Sequence, residues 1–417
     1  MEFKLLNFNR FMANFSTKLV GGFIAVIVYN YTQNLTLSLL TVVIQYLFGF
    51  FFSLIFKNLL IKKPQLFLFL RIIPIFVYEL LLLFVDANPL WCVIGIGLAF
   101  SLSYTFKNIP NEVLFSYVNA TRKSGTGRML ALSKVVDQGA IIVGLLIGGL
   151  ILDYLPMQVL IIISLTLYLV GALPLFIFYM KHRKDKSYNQ EYSTYAHIAL
   201  KEQSNSTIYA NSVSKRIRVI YCLFYFLQES LQAMYVLLPI LIFRITGTFT
   251  SAAIASAIFD GFFGIGCYLT GKLESKRDIT IMSATAGILV GVLGICLVFM
   301  RENTMWLFYL LVGIMAICYA MTYFFMYNRM IMKSKIVGRN ITCVINKINM
   351  YYLSTSFVVA FGMILPISVC FYVGGAMSIM AGFLSPKIEE KTRRILVDHL
   401  EDNDIREDYS IFSRKWW

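Results

Sequence analysis

The sequence predicts an all-α integral membrane protein with twelve transmembrane helices in two six-helix bundles related by pseudo-symmetry. Three observations support this prediction: the composition, the number of long apolar runs, and a repeat that relates the two halves of the chain. Of the 417 residues, 58% are hydrophobic and only 14% are charged, whereas a soluble globular protein has about 25% charged residues. A water-soluble enzyme is therefore excluded. The isolated cysteines and the three histidines predict no metal site and no cofactor.

Twelve apolar runs are long enough to cross a bilayer, which takes about 20 residues of helix. We number the predicted helices 1 to 12 in chain order, at 11–30, 36–56, 66–85, 89–109, 128–152, 157–180, 217–243, 248–270, 279–299, 304–327, 340–365 and 367–385.

Positive charge alternates between the connections. Those after even-numbered helices carry most of the Lys and Arg, for example Lys57, Lys62 and Lys63 after helix 2, and the odd-numbered ones carry almost none. The positive-inside rule therefore predicts a multi-pass protein of the cell membrane (inner or plasma) with both termini cytoplasmic. This pattern also accounts for the net charge of +15, so no nucleic-acid partner is expected.

The long polar connection 181–216 divides the chain. We expect it to be a cytoplasmic linker between an N-terminal bundle, 1–180, and a C-terminal bundle, 217–386. The remaining 387–417 form a cytoplasmic tail. Its apolar residues recur at helical spacing, which fits either a helix on the membrane surface or a solvated tail.

An internal repeat is the most specific feature of the sequence. Four features recur in the same order at corresponding helix ends, the first three 215 residues apart and the last 211: Lys57 and Lys272, Trp91 and Trp306, Tyr104 and Tyr319, Gly127-Arg128 and Gly338-Arg339. Two duplicated bundles related by an axis along the membrane normal are typical of transporters whose central cavity opens alternately to each side.

With these features the chain resembles the major facilitator superfamily over almost its whole length. The family motif between helices 2 and 3 is similar to Gly271-Lys-Leu-Glu-Ser-Lys-Arg277, while the first-half copy at 56–63 lacks the glycines and the aspartate. The resemblance implies a set of gating-loop residues: Lys57, Lys62, Gly271, Lys272, Arg277, Arg128 and Arg339.

Helix 5 contains a glycine-rich stretch, Gly144-Leu-Leu-Ile-Gly148-Gly149. It is similar to a motif of antiporters in the same family, although Leu145 stands where proline is expected. The alternative is close helix packing through small residues.

Six ionisable residues are predicted near mid-membrane: Lys18, Lys134, Asp137, Glu229, Asp260 and Lys347. At roughly 2.5–3.5 kcal/mol each, facing lipid would cost on the order of 15–20 kcal/mol in total, so they must face one another or water. Lys134 and Asp137 are three residues apart on one helix face and are expected to pair. The resemblance implies that helix 3 is peripheral, so Glu79 in that helix is expected to have a structural or interface role.

The resemblance implies that all six charges lie on helices that line the cavity. The substrate-cavity candidates are Lys18, Lys134, Gln138, Gln228, Gln232, Tyr319, Tyr323, Asn346, Lys347 and Asn349.

We therefore predict a secondary active transporter that works by alternating access. We favour proton coupling through Asp137, Glu229 or Asp260, and export of an amphipathic or drug-like compound. The protein is expected to be a monomer. An importer of a small polar metabolite and a lipid-linked-sugar flippase are alternatives. A non-transporting receptor or interaction subunit of the same fold is the alternative from another class.

Overall fold

The computed structural model describes residues 2–121, 126–182, 208–274, 279–336 and 340–402, and for parts of these, including 126–135 and 340–344, the backbone alone. Every long regular element in these ranges is an α-helix. In chain order they are α1 Glu2–Gly21, α2 Ile24–Thr32, α3 Leu35–Lys62, α4 Pro64–Leu70, α5 Ile72–Leu82, α6 Pro89–Thr121, α7 Thr126–Tyr154, α8 Met157–His182, α9 Ile208–Gln228, α10 Ser230–Thr246, α11 Phe249–Glu274, α12 Thr280–Cys296, α13 Met305–Ile336, α14 Asn340–Ile364 and α15 Ile367–Asp402.

These helices make twelve membrane crossings, which we call spans 1 to 12. Spans 1, 3 and 7 each consist of two consecutive helices, α1–α2, α4–α5 and α9–α10, and every other span is one helix. Eleven crossings are long and apolar enough to qualify by hydropathy. Span 11, the 25-residue α14, is more polar because it contains Asn346, Lys347 and Asn349. The predicted fold class is confirmed.

The two halves repeat a hydrogen-bonded serine pair. Ser16 of span 1 lies 3.2 Å from Ser164 of span 6, and Ser230 of span 7 lies 3.3 Å from Ser378 of span 12. Both pairs are separated by 148 residues, and the second follows the first by 214 residues (230 − 16 and 378 − 164). Buried hydroxyl pairs are specific contacts inside a membrane, so they support the repeat found in the sequence.

One seam between the bundles is formed by spans 5 and 8, which run antiparallel. A Cβ added at Gly149 would lie 2.6 Å from Ala253, and one at Gly264 would lie 3.5 Å from Gln138. Glycine and alanine thus let these two helices approach closely.

A second seam is formed by spans 2 and 11. Ser53 donates to the side-chain oxygen of Asn349, and Tyr351 donates to the hydroxyl of Tyr46 at 3.0 Å. Gly49 lies against the ring of Tyr352, where an added Cβ would be 3.3 Å away. The contacts of this seam are polar and aromatic.

The glycine-rich stretch of span 5 lies in tight contacts. Added Cβ atoms at Gly144 and Gly148 would lie 2.7 and 2.5 Å from carbonyl oxygens of span 1, at Phe15 and Leu19, and Gly149 faces span 8. These approaches support close packing as the role of the stretch.

The last span is part of a longer helix. α15 continues through Pro386 to Asp402 as a single helix, and Ile388 and Ile395 pack against a buried cluster that includes Ile217 and Phe325. The first part of the tail is therefore an extension of span 12.

Candidate functional site

The charged residues predicted at mid-membrane lie on spans that meet between the two bundles. The three carboxylates occupy three separate places there, and all three are buried, with Asp137 6%, Glu229 2% and Asp260 7% exposed. Since an unpaired charge at this depth is costly, the partners of each carboxylate define what it can do.

Asp137 of span 5 is bound by span 1. Arg10 forms a salt bridge with one carboxylate oxygen, and Asn14 donates to the other at 3.0 Å. The side chain of Lys134, its predicted partner, lies outside the described residues. Arg10 was not predicted from the sequence, although Arg10, Asn14 and Lys18 recur every four residues and so share one face of the helix.

Asp260 of span 8 is connected to the other bundle. The Tyr235 hydroxyl of span 7 donates to Asp260 at 2.6 Å, and the ammonium of Lys18 in span 1 donates to the same hydroxyl at 3.3 Å. Lys18 also lies 5.4 Å from the centroid of the Tyr235 ring. Lys18, Tyr235 and Asp260, which we call the cross-bundle relay, join a cation of the first bundle to a carboxylate of the second.

Glu229 lies at the short interruption between α9 and α10 in span 7. Its Oε2 accepts a hydrogen bond from Tyr319 at 3.1 Å, and Tyr319 in turn accepts one from Gln232 at 2.8 Å. Its Oε1 lies 3.9 Å from the ammonium of Lys347 in span 11 and accepts no described hydrogen bond. The pair Glu229 and Lys347 thus belongs to the second bundle alone.

Three tyrosines surround the ammonium of Lys347. Its Nζ lies 3.7 Å from the ring centroid of Tyr323, 4.3 Å from that of Tyr327 and 5.7 Å from that of Tyr225. Cation–π attraction acts within about 6 Å of a ring centroid. We call Tyr225, Tyr323 and Tyr327 the tyrosine cage. Tyr225 and Tyr327 were not predicted from the sequence, although Tyr319, Tyr323 and Tyr327 recur every four residues.

The cage also contacts the first bundle. The Tyr327 hydroxyl donates to Glu112 of span 4 at 3.5 Å. Lys107, on the other side of Pro110, lies 5.7 Å from the ring centroid of Tyr104. Glu112 therefore meets a tyrosine of the opposite bundle.

The remaining cavity candidates are spread over several contacts. Asn349 is buried in the seam of spans 2 and 11, Gln138 and Asn346 are half-buried, and Gln228 is 3% exposed. Gln228 lines a small cavity with Tyr319, and neither polar atom of its amide has a described hydrogen-bond partner. These residues are not all brought to one place.

The gating-loop candidates are only partly described. Lys57 is half-buried, and Lys62 and Lys272 are exposed at the ends of spans 2 and 8. We call this end of the molecule the basic face; the sequence predicts it to be cytoplasmic. Gly271 is half-buried beside Phe324. For Arg128 only the helical backbone is described, and Arg277 and Arg339 lie outside the described residues.

The bundles are joined at the opposite face, away from the basic face. Asp153, at the end of span 5, accepts hydrogen bonds from the first backbone amides of α11, those of Phe249 at 2.8 Å and Thr250 at 2.7 Å. The Phe249 ring meets Phe23 of span 1 edge-on, with centroids 6.2 Å apart, and Phe243 of span 7 at 4.7 Å. A helix N-terminus and an aromatic cluster thus connect the bundles here.

Span 3 contains two further buried charges. Arg71, 1% exposed, donates to Ser103 and Thr17, and Glu79, 0% exposed, accepts from Ser164 at 2.7 Å. Their described partners all lie within the first bundle, which supports the structural role expected for Glu79.

Comparison with known proteins identifies the family. A model of the Major Facilitator Superfamily matches residues 6–339. No curated protein sequence matches the chain.

Solved structures share the fold at low identity. A bacterial homologue of the iron transporter ferroportin, in an inward-facing state, has a TM-score of 0.65 at 12% identity, covering 93% of this chain and 98% of its own. A D-xylose–proton symporter has a TM-score of 0.61 at 11% identity, covering 92% and 96%. A partially occluded, inward-open xylose transporter from E. coli has a TM-score of 0.62 at 12% identity, covering 92% and 98%.

Proposed function

The chain belongs to the Major Facilitator Superfamily and has the fold of its secondary transporters, and we propose that it couples the export of an amphipathic, drug-like compound to protons by alternating access. The multi-pass membrane location and a small-molecule substrate follow from the family. The coupling ion, the direction and the substrate are the proposal.

The cross-bundle relay is the observation that carries the proton coupling. Of the three candidate carboxylates, Asp260 is the one whose described contacts reach a cation of the other bundle, Lys18, through Tyr235. The described partners of Asp137 and Glu229 lie in their own bundles. A change in the charge of Asp260 therefore acts on the contact between the bundles.

The mechanism follows from this charge balance. With Asp260 ionised, its negative charge offsets Lys18, and the Tyr235 hydroxyl bridges the two. A proton on Asp260 removes that negative charge and leaves Lys18 without a carboxylate at the end of the relay. Because a buried uncompensated cation is costly, protonation of Asp260 weakens the relay. It therefore favours separation of the bundles, which alternating access requires.

Export of a drug-like compound has two supports. The glycine-rich stretch of span 5 is similar to the antiporter motif, although close packing explains it as well. The interface between the bundles is also rich in tyrosine, which suits an aromatic compound. Import of a small polar metabolite would require direct hydrogen bonds to the substrate, and a flippase would require an opening toward lipid.

The test is proton movement in proteoliposomes with ethidium as an amphipathic probe. We expect ethidium transport driven by a pH gradient in the parent and its loss in Asp260→Asn, which removes a titratable group and keeps a hydrogen-bonding one. Asp137→Asn is the matched control, the same change within one bundle, and should retain more of the proton-driven flux. Proton-driven flux in Asp260→Asn equal to that of the parent would refute Asp260 as the carrier.

A non-transporting receptor of the same fold is tested by the same preparation. Such a protein would move neither ethidium nor protons in any variant. An importer would accumulate the probe in the direction of the proton gradient.

A further inference from the structure

The tyrosine cage points to a substrate class. We infer that the cage and Glu229 form a recognition site for an alkylammonium group, and that a substrate ammonium takes the place of the Lys347 ammonium there. This inference rests on the proposed transport function and adds to it the charged group that the transported compound carries.

The geometry of the site is that of a cation receptor. Ring faces from two spans, Tyr323 and Tyr327 of span 10 and Tyr225 of span 7, converge on one ammonium at 3.7 to 5.7 Å. Aromatic faces attract ammonium groups, primary and quaternary alike, through the ring quadrupole. A neutral group in the same position would lose that attraction.

The carboxylate of Glu229, beside the cage, has one oxygen that Lys347 does not reach with a hydrogen bond. Oε1 of Glu229 is 3.9 Å from the Lys347 Nζ, which is longer than a hydrogen bond, and it is buried with no described hydrogen-bond partner. Oε2 is held in place by Tyr319. A free ammonium, unconstrained by a lysine stem that starts on span 11, can approach Oε1 more closely than Lys347 does.

The cage lies where the two bundles meet. Tyr323 and Tyr327 are half-buried, and Tyr327 contacts Glu112 of the other bundle. The cage therefore lies at the interface that alternating access opens. The groups facing Lys347 include Glu229 and Tyr225 from span 7 and Tyr323 and Tyr327 from span 10, with Glu112 of span 4 behind Tyr327.

Lys347 is then a tethered occupant that competes with the substrate. An occupant fixed beside its site has a high effective concentration, so it weakens the binding of a free ammonium until the ligand supplies further contacts. Removing the tethered ammonium should reveal the intrinsic affinity of the cage for small cations.

The experiment measures binding to the full-length protein in detergent by isothermal titration calorimetry. The probe is n-butylammonium, which reproduces the lysine side chain, and n-butanol is its neutral counterpart. We expect Lys347→Ala to bind n-butylammonium at least tenfold more tightly than the parent, and n-butanol to bind neither. In the Lys347→Ala background, Tyr323→Leu should weaken binding at least fivefold, whereas Tyr323→Phe, which keeps the ring, should change it less than twofold.

Lys347→Met replaces Lys347→Ala if the alanine variant does not fold. Because the methionine side chain fills the space that the butyl chain needs, methylammonium and methanol then replace n-butylammonium and n-butanol in every comparison. Equal n-butylammonium affinity in the parent and the folded Lys347 variant would overturn the inference. So would equal binding of n-butanol, or equal effects of Tyr323→Leu and Tyr323→Phe.

The two proposals fail separately. Proton-driven ethidium flux in the parent with no ammonium binding in the Lys347 variants would refute the cage and leave the transport function standing. Ammonium binding in the Lys347 variants without proton-driven ethidium flux in the parent would refute the proposed transport function and leave the cage standing as a binding site.

Discussion

Asp153 offers a direct test of how the two bundles are held together at the face opposite the basic face. Its carboxylate accepts the amides of Phe249 and Thr250 at 2.8 and 2.7 Å, so a residue of one bundle caps a helix of the other. We expect Asp153→Ala to destabilise the closed arrangement at this face, because both amides lose their acceptor when the bundles are together and lose nothing when they are apart.

The size of the effect follows from helix capping. Replacing an N-cap acceptor by alanine costs roughly 0.5–2 kcal/mol, and the exposure of Asp153 places it within this solvent-screened range. A loss of about 1–2 kcal/mol changes a two-state ratio by a factor of about 5–30. Asp153→Asn should give a smaller change, because asparagine is also a good cap but lacks the charge that favours a helix N-terminus.

Distances between two spin labels report this ratio. The labels are placed at Tyr154 and Arg244, exposed residues at the ends of spans 5 and 7, in a background without the native cysteines. Pulsed dipolar spectroscopy should show a larger long-distance population in Asp153→Ala. Asp86→Ala removes the same charge from the same face at a residue with no described hydrogen bond, and is the control. Distance distributions of Asp153→Ala that match those of Asp86→Ala would refute the reasoning.

Three further perturbations test other parts of the structure. Asp137→Leu should lower stability by about 3–5 kcal/mol, since it leaves Arg10 without its described carboxylate, and combination with Arg10→Met should restore part of this in thermal unfolding. Gly149→Val should destabilise the closed seam of spans 5 and 8 by about 1–3 kcal/mol, whereas Gly139→Ala, where an added Cβ would meet nothing within 4 Å, should melt like the parent. Cysteines introduced in 181–216 should be labelled from the cytoplasm, and external labelling would contradict the predicted orientation.

The crossings could be read from the sequence because they depend on length and apolarity alone. Span 11 is the instructive case: its polar residues lower its hydropathy, yet it is long and apolar enough to be predicted as a crossing, and Gly338-Arg339 before it matches Gly127-Arg128 before span 5. The exposed Trp91 and Trp306, 74% and 69%, also occupy equivalent positions at the starts of spans 4 and 10. Residues at positions that the repeat relates thus have similar exposure in the two halves.

The partners of the charges were harder to predict than the charges themselves. Cost of burial identifies Asp137 as a residue that needs a partner, but nothing local to span 5 indicates Arg10, which is 127 residues away. Spacing along one helix predicts Lys134, whose side chain lies outside the described residues, whereas Arg10 reaches Asp137 from another helix. Tyr235 was missed because a tyrosine in an apolar run is ordinarily part of the core.

The two seams differ in the kind of contact that must be broken when the bundles separate. Away from the hydrogen bonds of Asp153 at one end, spans 5 and 8 touch through small side chains, as at Gly149 and Ala253, and such surfaces slide past one another with gradual losses of dispersion energy. Spans 2 and 11 are held by directional bonds, at Tyr46 with Tyr351 and at Ser53 with Asn349, which act over a short range and break abruptly. The activation barrier to exchange between conformations should therefore be set by two groups of hydrogen bonds, those between spans 2 and 11 and those of Asp153 at the end of spans 5 and 8. The small-residue contact should contribute little to it.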